Sequence, residues 1–272
     1  MPNFPATPQE IFKSFWKNRS LIISLIKREV LGRYKGSLFG ILWSLINPIF
    51  MLMVYTFVFS VVFNARWSSN SESKTEFALV LFAGLIVFNL FAECFNRSPG
   101  LVLSNPNYVK KIIFPLEILS FVSLGTALFH AAISYAVWIL SYMIFFGMPH
   151  LTILLLPIVL IPLFIFILGI GWLFSSLGVY IRDTSQLVGM LTTVLLFLSP
   201  IFFPISALPE KYQIFVKLNP LVPVIEESRQ VLFWGNLPNF QDYFICLLVA
   251  LLSAVFGFYW FQKTRKGFAD VI

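Results

Sequence analysis

Long apolar runs broken by short polar stretches organise this chain of 272 residues. A helix that crosses a bilayer needs about 20 mostly apolar residues. Six stretches approach or meet that length: 37–63, 77–95, 117–146, 151–179, 187–203 and 243–261. None alternates with the period of two expected of a membrane barrel, so the pattern predicts helices. The first, third and fourth exceed the minimum, which implies tilt or extension beyond the hydrocarbon. The fifth is short and ends in "SPIFFPISALP".

The polar stretches differ in kind. Before the first run, "REVLGRYKGSLFGILWSLINPIF" loses its cations after Lys35, and no charge returns until Arg66. Residues 8–34 mix apolar clusters with cations, with Ile23 and Val30 off the main stripe. They predict one amphipathic helix lying along the anionic inner leaflet. The organisation expected is a cytoplasmic N-terminal segment (1–36), a six-span membrane domain (37–261) and a cytoplasmic tail (262–272). Within it, 96–116 forms an inner loop with a short helical pattern. Residues 204–242 form an outer segment that dips back toward the membrane and closes at Gly235–Asn236. Irregular backbone at that depth requires shielding by protein or contact with water.

Composition narrows the class. Hydrophobic residues make up 58% of the chain and charged residues 11%, against about 25% charged in soluble domains. A soluble fold could not cover such a surface; an integral membrane protein has no need to. The net charge of +7 does not describe a nucleic-acid face, because the cations sit at the ends of apolar runs. With the N-terminus inside, fourteen of the 19 basic residues fall on the cytoplasmic side. The other five (Arg66, Lys74, Lys211, Lys217 and Arg229) fall outside, a positive-inside bias that predicts both termini in the cytoplasm. Cys94 and Cys246 lie in or beside apolar runs and offer no disulfide framework. The N-terminus lacks the pattern of a cleavable signal, so insertion is expected to rely on the spans.

Candidate chemistry is sparse. His130 and His150 are far apart and lack metal-ligand spacing, and no phosphate-binding G-x-x-x-x-G-K-[ST] loop occurs. No span carries the acidic chain of a proton or sodium relay; Glu93 and Glu117 are read at the inner ends of spans, within reach of water. His130 lies mid-span, where an ionisable group is a functional candidate and an imidazole bonded across helices is the structural alternative. Of 32 phenylalanines, Phe50 and Phe57 share one face of the first span with Trp43, at seven-residue intervals. Packing or lipid contact explains such a stripe; so does a path whose rings stack on sugars while Ser44 and Asn47 bond their hydroxyls. A Pro at position 48 frees backbone groups and predicts a bend.

Four stretches, in order, resemble the permease subunit of type-2 ABC polysaccharide exporters, the O-antigen and lipopolysaccharide transport permease family. They are "RYKGSLFGILWSLINP" (33–48), "NYVKKIIFPLEIL" (107–119), "YIRDTSQL" (180–187) and "LNPLVPVIEESRQVLFWG" (218–235). The resemblance implies the transmembrane-domain fold of that exporter class and a homodimer in the bacterial inner membrane. It also implies two copies of a separate ATP-binding subunit holding ATP-Mg, with no cofactor or metal on this chain and no catalytic role. The implied cargo is undecaprenyl-linked polysaccharide, O antigen foremost. It further implies ATPase coupling through Lys110, Lys111, Phe114 and Pro115, with the N-terminal helix alongside. Arg182 and Asp183 would form an inner-face clamp, and Asn219, Pro220, Pro223, Glu227 and Arg229 an outer gate. Alternatives are an exporter of capsular polysaccharide, teichoic acid, lipid or drug, an ion channel or secondary transporter, or a membrane-embedded enzyme.

Overall fold

The computed structural model describes residues 5–63, 67, 74–110 and 114–272; Arg66 and Lys111 lie outside them. Among the described residues every regular element is helical. The α-helices in chain order are α1 (Pro8–Lys17), α2 (Arg19–Tyr34), α3 (Trp43–Tyr55), α4 (Lys74–Arg97), α5 (Gly100–Leu103), α6 (Pro106–Val109), α7 (Ile118–Phe146), α8 (Leu156–Tyr180), α9 (Thr184–Leu198), α10 (Glu210–Lys217), α11 (Leu221–Arg229), α12 (Phe240–Thr264) and α13 (Phe268–Val271). Among the described residues five segments are long and apolar enough to cross a membrane: Gly40–Phe59, Thr75–Arg97, Ile118–Phe146, Leu151–Tyr180 and Phe240–Val271.

The remaining expected span differs. Helix α9 starts earlier than its apolar run and stops at Leu198. Its 15 residues cover about 22 Å at 1.5 Å per residue, short of the roughly 30 Å hydrocarbon core. The stop is local chemistry: Ser199 precedes Pro200, and a residue before proline is pushed out of the helical region. Ser199 is indeed extended (φ −90°, ψ 145°). The chain then returns through α10 and α11, and the left-handed Gly235 (φ 71°) closes the segment.

Helix α4 is the hub. In its most apolar stretch 83% of residues are buried, against 11% for the first span. It packs against α7, α11 and the first span. That first span begins with a 3-10 turn, Gly40–Leu42, continues as α3 and ends as a π-helix, Thr56–Val62. Helices α8 and α12 form a tight pair: a Cβ on Gly257 would overlap the Gly169 carbonyl. Small residues at such a crossing let two backbones touch, which is how packing is gained where lipid supplies no hydrophobic drive.

The N-terminal region corrects the expectation of one interfacial helix. Two helices meet at Asn18, whose side chain bonds back to the Ser14 carbonyl at 2.8 Å. Helix α1 is amphipathic, but α2 runs beside α7 in the same direction. Ile22 and Leu25 pack on Ile118 and Val122, and Gly125 leaves room for Ile26. Val30, off the apolar stripe in sequence, is buried, whereas Ile23 is exposed. Only Ile22, Leu25 and Val30 of α2 are buried, and the rest of the helix is partly or fully exposed.

Candidate functional site

Helix α4 carries Asn89, Glu93 and Asn96 at spacings of four and three, which puts them on one face. Most of α4 is buried, but Asn89 and Asn96 are exposed within the single chain. They line a cavity of about 620 Å³ with Glu29, Arg33, Ala92, Glu93, Arg97 and Thr126. A second cavity of about 260 Å³ shares Arg33, Asn89 and Glu93, and adds Tyr34, Ser44, Asn47, Pro48, Met51, Tyr55, Phe82, His130 and Ser134. The two cavities adjoin at these three residues and together form a vestibule between α2, α3, α4 and α7.

Ion pairs hold its walls. Arg33 Nη1 donates to Glu93 Oε1 at 2.6 Å, and His130 Nδ1 lies 2.9 Å from Glu93 Oε2. Because Glu93 can only accept when ionised, the proton of the imidazole is assigned to Nδ1. Nε2 is buried and without a partner among the described residues. His130 is therefore bonded across helices, to the second span. Arg97 pairs with Glu29, which also accepts from Thr126 Oγ1 at 3.3 Å. Tyr34, Tyr55 and Phe82 add ring faces between the polar groups.

The residues singled out in the first span divide. Ser44 and Asn47 line the vestibule with Pro48. Phe57 instead lines an apolar cavity of about 420 Å³ with Ile49, Leu52, Met53, Phe145 and others. Trp43 is partly exposed and packs edge-on against Phe39, and Phe50 is exposed. Neither Trp43 nor Phe50 lines either part of the vestibule. The aromatic component comes from Tyr34, Tyr55 and Phe82, which the seven-residue stripe did not select. Asn89, Glu93 and Asn96 carried a legible signal, polar groups at helical spacing inside an apolar run. Their pairing with Arg33 carried none.

At the inner loop, Lys110 is exposed and Phe114 and Pro115 are half-buried. Phe114 stacks on Tyr108 at 4.1 Å, and the loop's α5 packs on α8, where Gly178 admits the Pro99 carbonyl. Glu117 does not reach water as read from sequence. It is 8% exposed and paired with Arg265 at 2.7 Å. Arg182 and Asp183 are exposed in the turn before α9, and no ion pair among the described residues joins them to each other.

The outer candidates converge on one hairpin. Asn219 donates from Nδ2 to Ser199 Oγ at 2.9 Å and accepts the Leu221 amide at 3.0 Å. Pro220 precedes α11 and Pro223 lies in its first turn. Glu227 Oε2 accepts the Asn239 amide at 3.0 Å. Arg229, counted from sequence among the outward cations, is fully buried. It donates to Val80 O (3.1 Å), Pro200 O (2.6 Å), Ile201 O (3.1 Å) and Glu226 Oε1 (2.7 Å), and lies 4.4 Å from the Trp67 ring centre. The carbonyls freed where α9 breaks thus find their donors in this guanidinium. A broken helix at membrane depth demands that satisfaction.

Comparison with known proteins agrees with this architecture. Residues 20–233 match the family model described as ABC-2 type transporter. An O-antigen export system permease protein, RfbA, of Klebsiella pneumoniae is 27% identical over 93% of this chain and 95% of its own. Its namesake in Myxococcus xanthus is 24% identical over 96% and 99%. The polysialic acid transport protein KpsM of Escherichia coli is 28% identical over 78% and 81%. With several apolar helices around a buried hub, and with most of its length matched, this chain belongs to the ABC-2 type transporter family of membrane proteins.

Proposed function

We propose that this chain is the membrane subunit of an ATP-driven exporter that passes a lipid-linked polysaccharide, O antigen foremost, out of the cytoplasm across the bacterial inner membrane. The observation that carries the reading is the face of Asn89, Glu93 and Asn96 opening on a polar cavity of about 620 Å³. Polar side chains are costly in a span unless they face water, a partner or a polar ligand. Hydroxylated sugars need that lining: amides, carboxylate and guanidinium bond the hydroxyls, and rings meet the apolar C–H faces at about 1 kcal/mol per contact. Weak, repeated contacts suit a polymer that must slide. Relatives named for O-antigen export match 93% and 96% of the chain, and a relative named for capsule polysaccharide export also matches 93%.

Two copies would enclose the path, with the sparsely buried first span and α9 supplying surface for the second copy. ATP-Mg would sit in a separate ATP-binding subunit, held against the inner loop around Lys110, Lys111, Phe114 and Pro115. The re-entrant hairpin around Asn219, Pro220, Pro223, Glu227 and Arg229 would gate the exit, and Arg182 with Asp183 would mark the entrance. Support for six crossings comes from parity. Ser14 near one end and Arg265 near the other both bond Glu117, so the two ends share a face. The broken α9–α11 element then counts as a crossing. The cation bias makes that face cytoplasmic.

The test is export in a deletion strain that accumulates lipid-linked glycan inside. The wild-type chain should restore surface polysaccharide. The double variant Asn89→Leu with Asn96→Leu, present at wild-type level in the membrane, should export about tenfold less, the loss expected for roughly one hydrogen bond's worth of transit energy. Undiminished surface glycan with both amides gone would overturn the reading. Pro48→Ala addresses the bend expected in the first span: insertion should persist while export falls by a factor of about three, since the replaced proline no longer frees a backbone carbonyl beside the vestibule. Equal export by this variant and the wild type would remove Pro48 from the path.

A further inference from the structure

Glu117 stands immediately before α7 with Leu116 and Ile118 buried on either side and the fully buried Trp172 beside it. A carboxylate in such surroundings is unfavourable unless every oxygen is engaged. Each one is. Oε1 accepts from Ser14 Oγ of α1 at 2.8 Å, and Oε2 accepts from Arg265 Nη1, beyond α12, at 2.7 Å. The backbone oxygen accepts from Trp172 Nε1 of α8 at 2.9 Å. The second arm of Arg265, Nη2, donates to the Phe114 carbonyl at 2.7 Å. One residue and its guanidinium partner therefore join the N-terminal helix, the end of the inner loop, the base of the third span, the fourth span and the C-terminal end.

Apolar side chains of similar volume would glue these segments together at less electrostatic cost. What they would lack is direction. Hydrogen bonds in a low-dielectric site are stronger than in water, and the planar fork of arginine holds a carbonyl and a carboxylate at a fixed spacing, which the single rotatable ammonium of lysine does not impose. Nearby, Phe114 stacks on Tyr108 with planes 8° apart, and Arg28 of α2 lies 5.9 Å from the Tyr108 ring. Nothing in the vestibule touches Glu117, so the substrate lining does not account for it.

We propose that Glu117 is a positioning residue that locks the inner loop, both chain ends and the base of the third span into one body, so that force applied at the loop reaches the helices around the vestibule. The inference rests on the reading of the chain as the membrane subunit of an ATP-driven exporter. Displacing the Phe114 backbone pulls Arg265, Arg265 pulls Glu117, and Glu117 carries α1 and the start of α7 with it. Without the lock the loop can yield while the spans stay still, and hydrolysis separates from transport.

The experiment uses the full chain assembled with its ATP-binding subunit in lipid vesicles, comparing wild type, Ser14→Ala, Glu117→Gln and Arg265→Lys. Three quantities are read: assembled complex, ATP hydrolysed, and glycan moved per ATP. Glu117→Gln should leave assembly and hydrolysis within about twofold and lower glycan per ATP about tenfold, the factor set by one charge-assisted bond. Ser14→Ala, which removes one hydroxyl bond to the carboxylate but leaves the Glu117–Arg265 pair in place, should lower the same ratio about threefold. Arg265→Lys should fall between them. The proposal is overturned if glycan per ATP stays at the wild-type value, or if export falls only in proportion to assembled complex, as a merely structural role requires. Should Glu117→Gln fail to assemble, Ser14→Ala decides by the same ratio. A wild-type chain that associates with no ATPase overturns the exporter reading itself, whereas an unchanged ratio overturns the lock alone.

Discussion

Replacing Arg229 by methionine is expected to remove most folded protein from the membrane. The side chain is wholly buried and donates to three backbone carbonyls and the Glu226 carboxylate. Methionine fills similar volume but donates nothing. Removing one partner of a buried charge pair costs roughly 3–5 kcal/mol, and each stranded carbonyl adds about 1–3 kcal/mol. Against a total stability of about 5–15 kcal/mol, that is enough to melt the hairpin. Lysine should rescue only in part, because a point charge reaches fewer of the four acceptors than a fork does. Gly84→Ala should show a milder form of the same defect: its Cβ would lie 2.6 Å from Arg229 Nη2, forcing the guanidinium off its carbonyls. Thermal unfolding of the detergent-purified chain measures all three. A methionine variant that melts with the wild type would show that the hairpin is held some other way.

The second large effect belongs to the α8–α12 crossing. Gly257→Ala places a methyl group into the Gly169 carbonyl, and Gly169→Ala places one 2.6 Å from Ser253 O and Ala254 N. Both obstacles are backbone, which cannot rotate aside as a side-chain tip can. Overpacking a core usually costs about 1–3 kcal/mol, and more where nothing yields; here the two most extensively packed helices must separate. Because Trp172 and Phe258 pack 5.0 Å apart on the same crossing, separation also opens the interior around Glu117. The control is Gly189→Ala on α9, where an added Cβ meets nothing within 4 Å. It should be neutral or stabilising by up to about 1 kcal/mol through helix propensity. The measurement is the yield of monodisperse protein after extraction, with the α8–α12 variants expected to aggregate. Normal yield of Gly257→Ala would mean that the crossing is looser than its geometry implies.

The two residues illustrate what a sequence hides. Arg229 stands among polar neighbours and Glu117 at the edge of an apolar run, and both positions read as water contact. Their burial is decided by acceptors and donors 149 and 148 positions away, Val80 O for Arg229 and Arg265 for Glu117. No local pattern encodes such a partner. The stripe of Trp43, Phe50 and Phe57 shows the converse: a helical face is legible, but what the face meets is not. Phe57 and Ser44 lie on one helix and open on different cavities. Similarly, Asn89, Glu93 and Asn96 could be found by spacing alone, while their role at a cavity wall needed Arg33 and His130 brought up beside them.

Hydropathy by itself determined that the chain is a bundle of membrane helices, where five of them run, and that its polar ends and loops are set apart from them. Those properties follow from the cost of putting each residue into hydrocarbon, which is nearly additive along the sequence. Only the tertiary structure decided that α9 stops short, that a guanidinium completes its broken end, that α2 stands beside the third span, and that a polar vestibule exists. These depend on which distant groups satisfy one another at close range, and the free energy of a buried polar group is fixed by its partner rather than by its own position in the chain.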